Sequence, residues 1–177
     1  MDNHTEIRHS YQGGFSILLV EGLIWVLAAI FWNFVSFKIG ILIIIIGGTF
    51  FYPLGQLLQL ILKRPKIRKE NPLNLLFTLI GLIIPFSFPL IFLLTKENVE
   101  LFFPALTIII GAHYLPFVYA YKLNTYWVLA SLLVVGGSFF GFIMPENSFY
   151  CAYYTGILLL LFAMLNFYIT KKEINKY

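Results

Sequence analysis

From Phe15 to Leu62 the chain is a single apolar run, interrupted only by Ser36, Phe37 and Lys38. One helix of that length would be about 70 Å long, against a bilayer hydrocarbon core of about 30 Å. The run must therefore fold back on itself, and Lys38 marks the expected turn. Each half is then about the 20 residues that one crossing needs. The same block length recurs to the end of the chain and predicts six spans: Phe15–Ser36, Ile39–Leu62, Leu73–Thr95, Leu101–Tyr121, Tyr126–Met144 and Tyr150–Thr170. The expected fold is all-α: a polytopic membrane protein, built as a six-transmembrane-helix bundle that can be read as three tandem helical hairpins. Pro85 and Pro89 remove two backbone donors one turn apart. A kinked or partly re-entrant third span, leaving four full spans plus irregular pieces, is the alternative.

Composition excludes other classes. Residues are 60% hydrophobic and only 11% charged, whereas soluble domains carry about 25% charged residues. Soluble and disordered chains are ruled out, and the lone Cys151 rules out a disulfide scaffold or a tetrahedral thiolate metal site. The net charge of +4 does not point to nucleic acid, because the basic residues flank helices where membrane topology accounts for them.

Of the 12 lysines and arginines, all but Lys38 and Lys96 fall on one side if the N-terminus is cytoplasmic. Residues 1–14 are then a cytoplasmic N-terminal segment, 15–170 the transmembrane domain and 171–177 a cytoplasmic basic tail, in a plasma (inner) membrane protein. Tyr11, Tyr126, Trp127 and Tyr168 are expected in the inner aromatic belt, and Trp32, Tyr150 and Tyr153 in the outer one. No cleavable signal is expected, because Met1–Gly14 has mixed charge and lacks a basic start.

Glu21 constrains function most. It lies about 9 Å into the first span, where a charge costs roughly 2.5–3.5 kcal/mol on insertion scales. It reads either as a titrating or cation-binding carboxylate facing the bundle interior, or as a hydrogen-bonded structural Glu. Trp25, Ala28 and Trp32 continue its helical face. In the second span Thr49, Tyr52, Gln56, Gln59 and Lys63 are spaced 3, 4, 3 and 4, which places them on one face that should avoid lipid. Gln56 lies at nearly the depth of Glu21 on the neighbouring helix, so the two are expected to pair. His113, about 12 Å from the inner edge of the fourth span, could approach Glu21 as a proton relay or bond a carbonyl, Tyr114 or Tyr52. The candidate ligand- or proton-binding set is Glu21, Tyr52, Gln56, Gln59 and His113.

Other motifs have plainer readings. Gly136-Gly137-Ser138 with Gly141 could place a serine opposite His113, but Gly137-xxx-Gly141 is the small-xxx-small packing pattern, as is Ala152-xxx-Gly156. The basic cluster Lys63-Arg64-Pro65-Lys66-Ile67-Arg68-Lys69 follows from topology and could also touch anionic headgroups. A weak echo links Ile44–Phe50 with Ile108–Tyr114, each followed by a proline. No phosphate loop, metal-ligand spacing or dinucleotide fingerprint is present, so no catalytic residue, metal or cofactor is implied.

The run Arg8-x-x-Tyr11-x-Gly13-Gly14, followed by Glu21-Gly22, Gly47-Gly48 and Tyr52-Pro53, resembles small bacterial multi-pass proteins grouped as families of unknown function. That resemblance implies a six-span bacterial membrane protein and no particular substrate. In size and topology the chain is also similar to the substrate-binding components of energy-coupling-factor vitamin transporters, but it lacks their Ala-x-x-x-Ala motif in the first span; Ala28 and Ala29 are adjacent instead. The leading expectation is a bundle that binds or translocates a small solute or ion in the inner half of the bilayer. The alternatives are an accessory, immunity-type or structural membrane subunit, and an intramembrane enzyme. The implied partners are the lipid bilayer, a small-molecule or ion ligand, and a second copy or partner membrane subunit, with no nucleic acid.

Overall fold

The computed structural model describes residues 2–174; Met1 and residues 175–177, which include Lys176 of the expected basic tail, lie outside the described residues. The described chain is mostly helical: α1 (Asn3–Tyr11), α2 (Phe15–Phe34), α3 (Phe37–Ile61), α4 (Leu73–Thr95), α5 (Phe102–Tyr121), α6 (Thr125–Phe142) and α7 (Ser148–Ile174). Short 3-10 turns join α1 to α2, α4 to α5 and α6 to α7. Six of these helices are long and apolar enough to cross a membrane, which makes the chain a multi-pass membrane protein.

The first hairpin turns at Val35 and Ser36, so Lys38 falls inside the first turn of α3 rather than at the bend. Ser36 makes the restart possible: its hydroxyl accepts from the Ile39 amide at 3.4 Å, an N-cap bond. α4 runs unbroken through Pro85 and Pro89, so the re-entrant and four-span alternatives fall away. Two bonds are missing from its ladder, but the flanking turns continue it.

Residues 2–14, within the stretch expected as a cytoplasmic N-terminal segment, form a folded cap. Asp2 caps α1 by accepting from the Thr5 amide at 2.8 Å. The helix lies across the end of the bundle that also carries the C-terminal part of α7, burying Ile7, Ser10 and Tyr11. Arg8 and Glu173 pair there at 3.2 Å. Residues 171–174, expected as tail, continue α7.

Three consecutive left-handed residues, Gln12, Gly13 and Gly14 (φ 49°, 62° and 89°), turn the chain from α1 into α2. The turn exposes the Gly13 carbonyl, which accepts from Tyr126 Oη at 2.7 Å and Asn166 Nδ2 at 3.1 Å. Tyr126, expected in an aromatic belt, is thereby drawn into the interior, and so is Tyr11. Trp32, expected in the opposite belt, is buried against Phe103 with ring centroids 4.9 Å apart. Trp127, Tyr168 and Tyr150 are exposed, as interfacial residues would be.

Helices in lipid gain little from hiding apolar surface and associate through close packing of small residues. Gly22 and Gly156 bring α2 and α7 together: a Cβ on Gly22 would sit 3.0 Å from the Gly156 carbonyl. Gly137 meets the Pro104 carbonyl and Ile108 of α5, so the Gly137-xxx-Gly141 pattern joins α6 to α5 within the chain. The closest helix pairs are α2 with α3, α2 with α7, and α5 with α6. α4 leans on α5 but barely touches α3, its neighbour in the chain.

Gly14→Ala and Gly48→Ala should differ in sign. Alanine at Gly14 must adopt φ 89° and collide with Tyr126 Oη, for a loss of roughly 2 kcal/mol or more. Alanine at Gly48 meets nothing within 4 Å and should leave stability unchanged or raise it by up to about 1 kcal/mol. Thermal unfolding of both purified variants checks this.

Candidate ligand-binding cleft

Because α3 and α4 splay apart, a cleft opens between them. Its upper part, about 400 Å³, is lined by Gly48, Thr49 and Tyr52 from α3 and by Phe77, Thr78 and Gly81 from α4, among others. Gly48 and Gly81 each face open space, so two absent side chains contribute its width. Pro53 and Pro85 lack the amide that would bond the carbonyls of Thr49 and Gly81, which leaves two helix acceptors unused on the walls. The Thr49 and Thr78 hydroxyls donate back to Ile45 and Asn74.

Toward the terminal end the cleft continues into a recess of about 450 Å³, whose lining includes Tyr52, Gln56, Gln59, Arg64 and Lys66. Tyr52 belongs to both parts and is 46% exposed. Gln56 Nε2 donates to Tyr11 Oη at 2.9 Å, and Tyr11 stacks on Phe77, so α1 closes one side. Lys63, at φ 52°, reverses the chain at the end of α3, and the Arg64 amide reaches back to the Gln59 carbonyl at 3.0 Å. That turn holds Arg64 beside Gln59. Gln59 is only 9% exposed and its Nε2 has no partner among the described residues; Arg64 Nε is also buried without one there.

Glu21 lies behind the cleft. It is 6% exposed and accepts from Tyr114 Oη at 2.5 Å. A narrow gap of about 20 Å³ reaches it past Gly48, Phe51, Ile84 and Phe88, which also wall the upper cleft. Trp25, Ala28 and Trp32 share its buried face, as their spacing predicts. The expected Glu21–Gln56 pair does not form: equal depth does not make two side chains face each other, and α1 supplies Gln56 with a nearer partner. His113 does not bond Glu21 either. Its ring packs against Tyr114 and Phe117, and its Nδ1 is buried without a partner. Ser138 is not at its level, since Gly137 meets Pro104 and Ile108 while Gly111 meets Ala130 and Val134.

Thr49 and Tyr52, expected to be hidden from lipid as part of the polar seam, border the opening and are exposed; Gln56 and Gln59 sit deeper. The cleft thus gathers Tyr52, Gln56 and Gln59, has Glu21 behind it and omits His113. Tyr114, Arg64 and Glu6 were not among the candidates read from the sequence.

Glu6 fixes the loop that roofs the recess. Its Oε1 accepts from the Arg68 amide at 2.7 Å, and its Oε2 accepts from Arg68 Nε and Asn71 Nδ2, each at 3.0 Å. Asn71 Oδ1 then accepts from the Leu73 amide at 3.0 Å, starting α4. The Arg68 side chain, followed by the Arg68 amide, holds the Glu6 carboxyl down at about 2, well below its ordinary 4.5. No cluster of His, Cys, Asp or Glu suited to a metal occurs among the described residues.

Residues 2–169 match a family described only as a family of unknown function (DUF7010). No curated protein and no solved structure matches the chain.

Two variants probe this geometry. Because the folded pKa of Glu6 is depressed, its contribution is fully present above pH 4.5 and is lost as pH falls through about 2. Glu6→Gln should therefore lower stability at pH 7, with the difference from wild type vanishing across that acid window. It should also speed tryptic cleavage within residues 63–69 at pH 8. Tyr114→Phe leaves the Glu21 carboxyl without its donor and should cost about 1–3 kcal/mol, whereas Tyr114→Phe added to Glu21→Gln should cost less than the sum of the two single changes; a double-mutant cycle by thermal unfolding measures this.

Proposed function

The chain belongs to DUF7010, a family of unknown function, and we propose from its cleft that it binds or translocates a small solute or ion at a polar site in the inner half of the bilayer. The observation carrying this reading is the separation of α3 from α4, which leaves an opening, apolar in its upper part and polar in its recess, where a bundle built only for packing would close. Tyr52, Gln56 and Gln59 orient the ligand, and Glu21 is the titrating group behind the gap at Phe51. His113 stays a packed neighbour of Tyr114 rather than a ligand. The crowding of basic residues at the terminal end, with Lys38 and Lys96 at the other, supports a cytoplasmic-membrane protein with both termini inside.

The test is thermal stability of the purified protein between pH 5 and 8 with a panel of small cations and metabolites. A ligand should raise Tm in the wild type, and Gln56→Leu should weaken that response at least tenfold, about 1.4 kcal/mol. Glu21→Gln should remove the pH dependence of the response while keeping unliganded stability within about 1 kcal/mol. No shift in any variant would instead favour an accessory membrane subunit whose polar residues only hold helices together.

A further inference from the structure

We infer that the occupant of the α3–α4 cleft is an anionic amphiphile taken sideways from the bilayer: one apolar chain lying in the upper cleft and a phosphate-bearing head in the recess beside Gln59 and Arg64. This rests on the reading of the cleft as the ligand site and names the class of ligand.

The first observation is length. Upper cleft and recess share Tyr52, and together they follow α4 from Asn74 to Phe88, about 21 Å. A compact metabolite fills a fraction of that, whereas a single-chain lipid lying along the helices fills it end to end. The second is the order of polarity. Phe77, Ile84, Pro85 and Phe88 line the part at membrane depth, and Gln59, Arg64 and Lys66 line the part at the terminal end. That is the axial order of a lipid in one leaflet.

Charge and unmet donors give the third. Arg64 and Lys66 line the recess and, among the described residues, no carboxylate does. Glu6, the buried acid next to this loop, is already committed to Arg68 and Asn71. Gln59 Nε2 and Arg64 Nε are buried donors lacking acceptors among the described residues, and a phosphate brings oxygens that accept several bonds at once. The last observation is access. Thr49, Tyr52, Thr78 and Gly81 are exposed along the seam between α3 and α4, so the opening faces the lipid side of the bundle along its length.

The experiment follows thermal unfolding in an uncharged maltoside detergent with three probes: a lysophosphatidate, the monoacylglycerol of the same chain, and inorganic phosphate. The lysophosphatidate should raise Tm by roughly 5–10 °C at about a hundredfold excess over its Kd, and the other two should not. Gly81→Leu, which fills open space, should abolish the rise, and Gly48→Leu is the equivalent change on the other wall should Gly81→Leu fail to fold. Arg64→Gln should weaken the response at least tenfold. Lys69→Gln, in the same basic loop but outside the recess, should not; equal effects of the two would mean attraction to a charged surface and would overturn the inference. A full response to inorganic phosphate would overturn it in favour of a soluble anion, and a full response to the monoacylglycerol in favour of an uncharged lipid. If a soluble cation or metabolite alone shifts Tm and Gly81→Leu removes that shift, the amphiphile is wrong and the ligand-site reading stands. If no probe or panel compound shifts Tm in the wild type, both fail.

Discussion

Inside a bilayer, burying apolar surface gives two helices no reason to meet, so this bundle is held where backbones approach and where polar groups bond across. Those places are unevenly distributed. Gly22 and Gly156 bring α2 onto α7, Gly40 brings α3 onto Ala28 and Trp32 of α2, and Gly111 and Gly137 bring α5 onto α6. Thr107 and Thr155 add a hydroxyl bond at 2.8 Å between α5 and α7. α4 has no such glycine crossing, because its one glycine, Gly81, looks into empty space; a polar tie to the bundle is its Ile80 carbonyl beside the His113 ring. The cleft follows from that distribution: five spans are drawn together, and the sixth rests against one of them.

The two ends of the bundle are secured differently. At the terminal end one carbonyl, that of Gly13, receives donors from α6 and α7, and Thr125 Oγ1 donates to Asn166 Oδ1 at 2.6 Å. Glu6 extends this cap to the start of α4. At the opposite end Ser148 Oγ donates to Glu100 Oε2 at 2.5 Å, joining the loop before α5 to the start of α7. The recess lies at the better-secured end, so the loop that roofs it is held by a network already complete within the chain.

Span positions were legible in the sequence, since hydrophobic length and polar breaks set them; Leu73–Thr95 is recovered residue for residue. Position along each helix was legible too, because counting gives it: Glu21, Gln56 and Gln59 lie nearer the terminal ends of α2 and α3. Azimuth was not. Which face of α2 meets which face of α3 depends on Gly40 and Ala28 packing, and no count along one helix reports the rotation of another. The same limit sent Tyr11, Tyr126 and Trp32 to expected belts. α1 was missed because a polar, weakly amphipathic stretch carries little helical signal; Asp2 capping the Thr5 amide, with Ile7 and Tyr11 four apart, was the available clue.

α4 behaves as a plank fixed along one edge. Asn71 and Glu6 hold its start, the buried Ile80, Ile84 and Ile91 seat one face on the bundle along its length, and its hydrogen-bond ladder is interrupted at Pro85 and Pro89. Its other edge is free beside the cleft, so the width of the opening is set by one helix, while the other five spans make their closest approaches to one another.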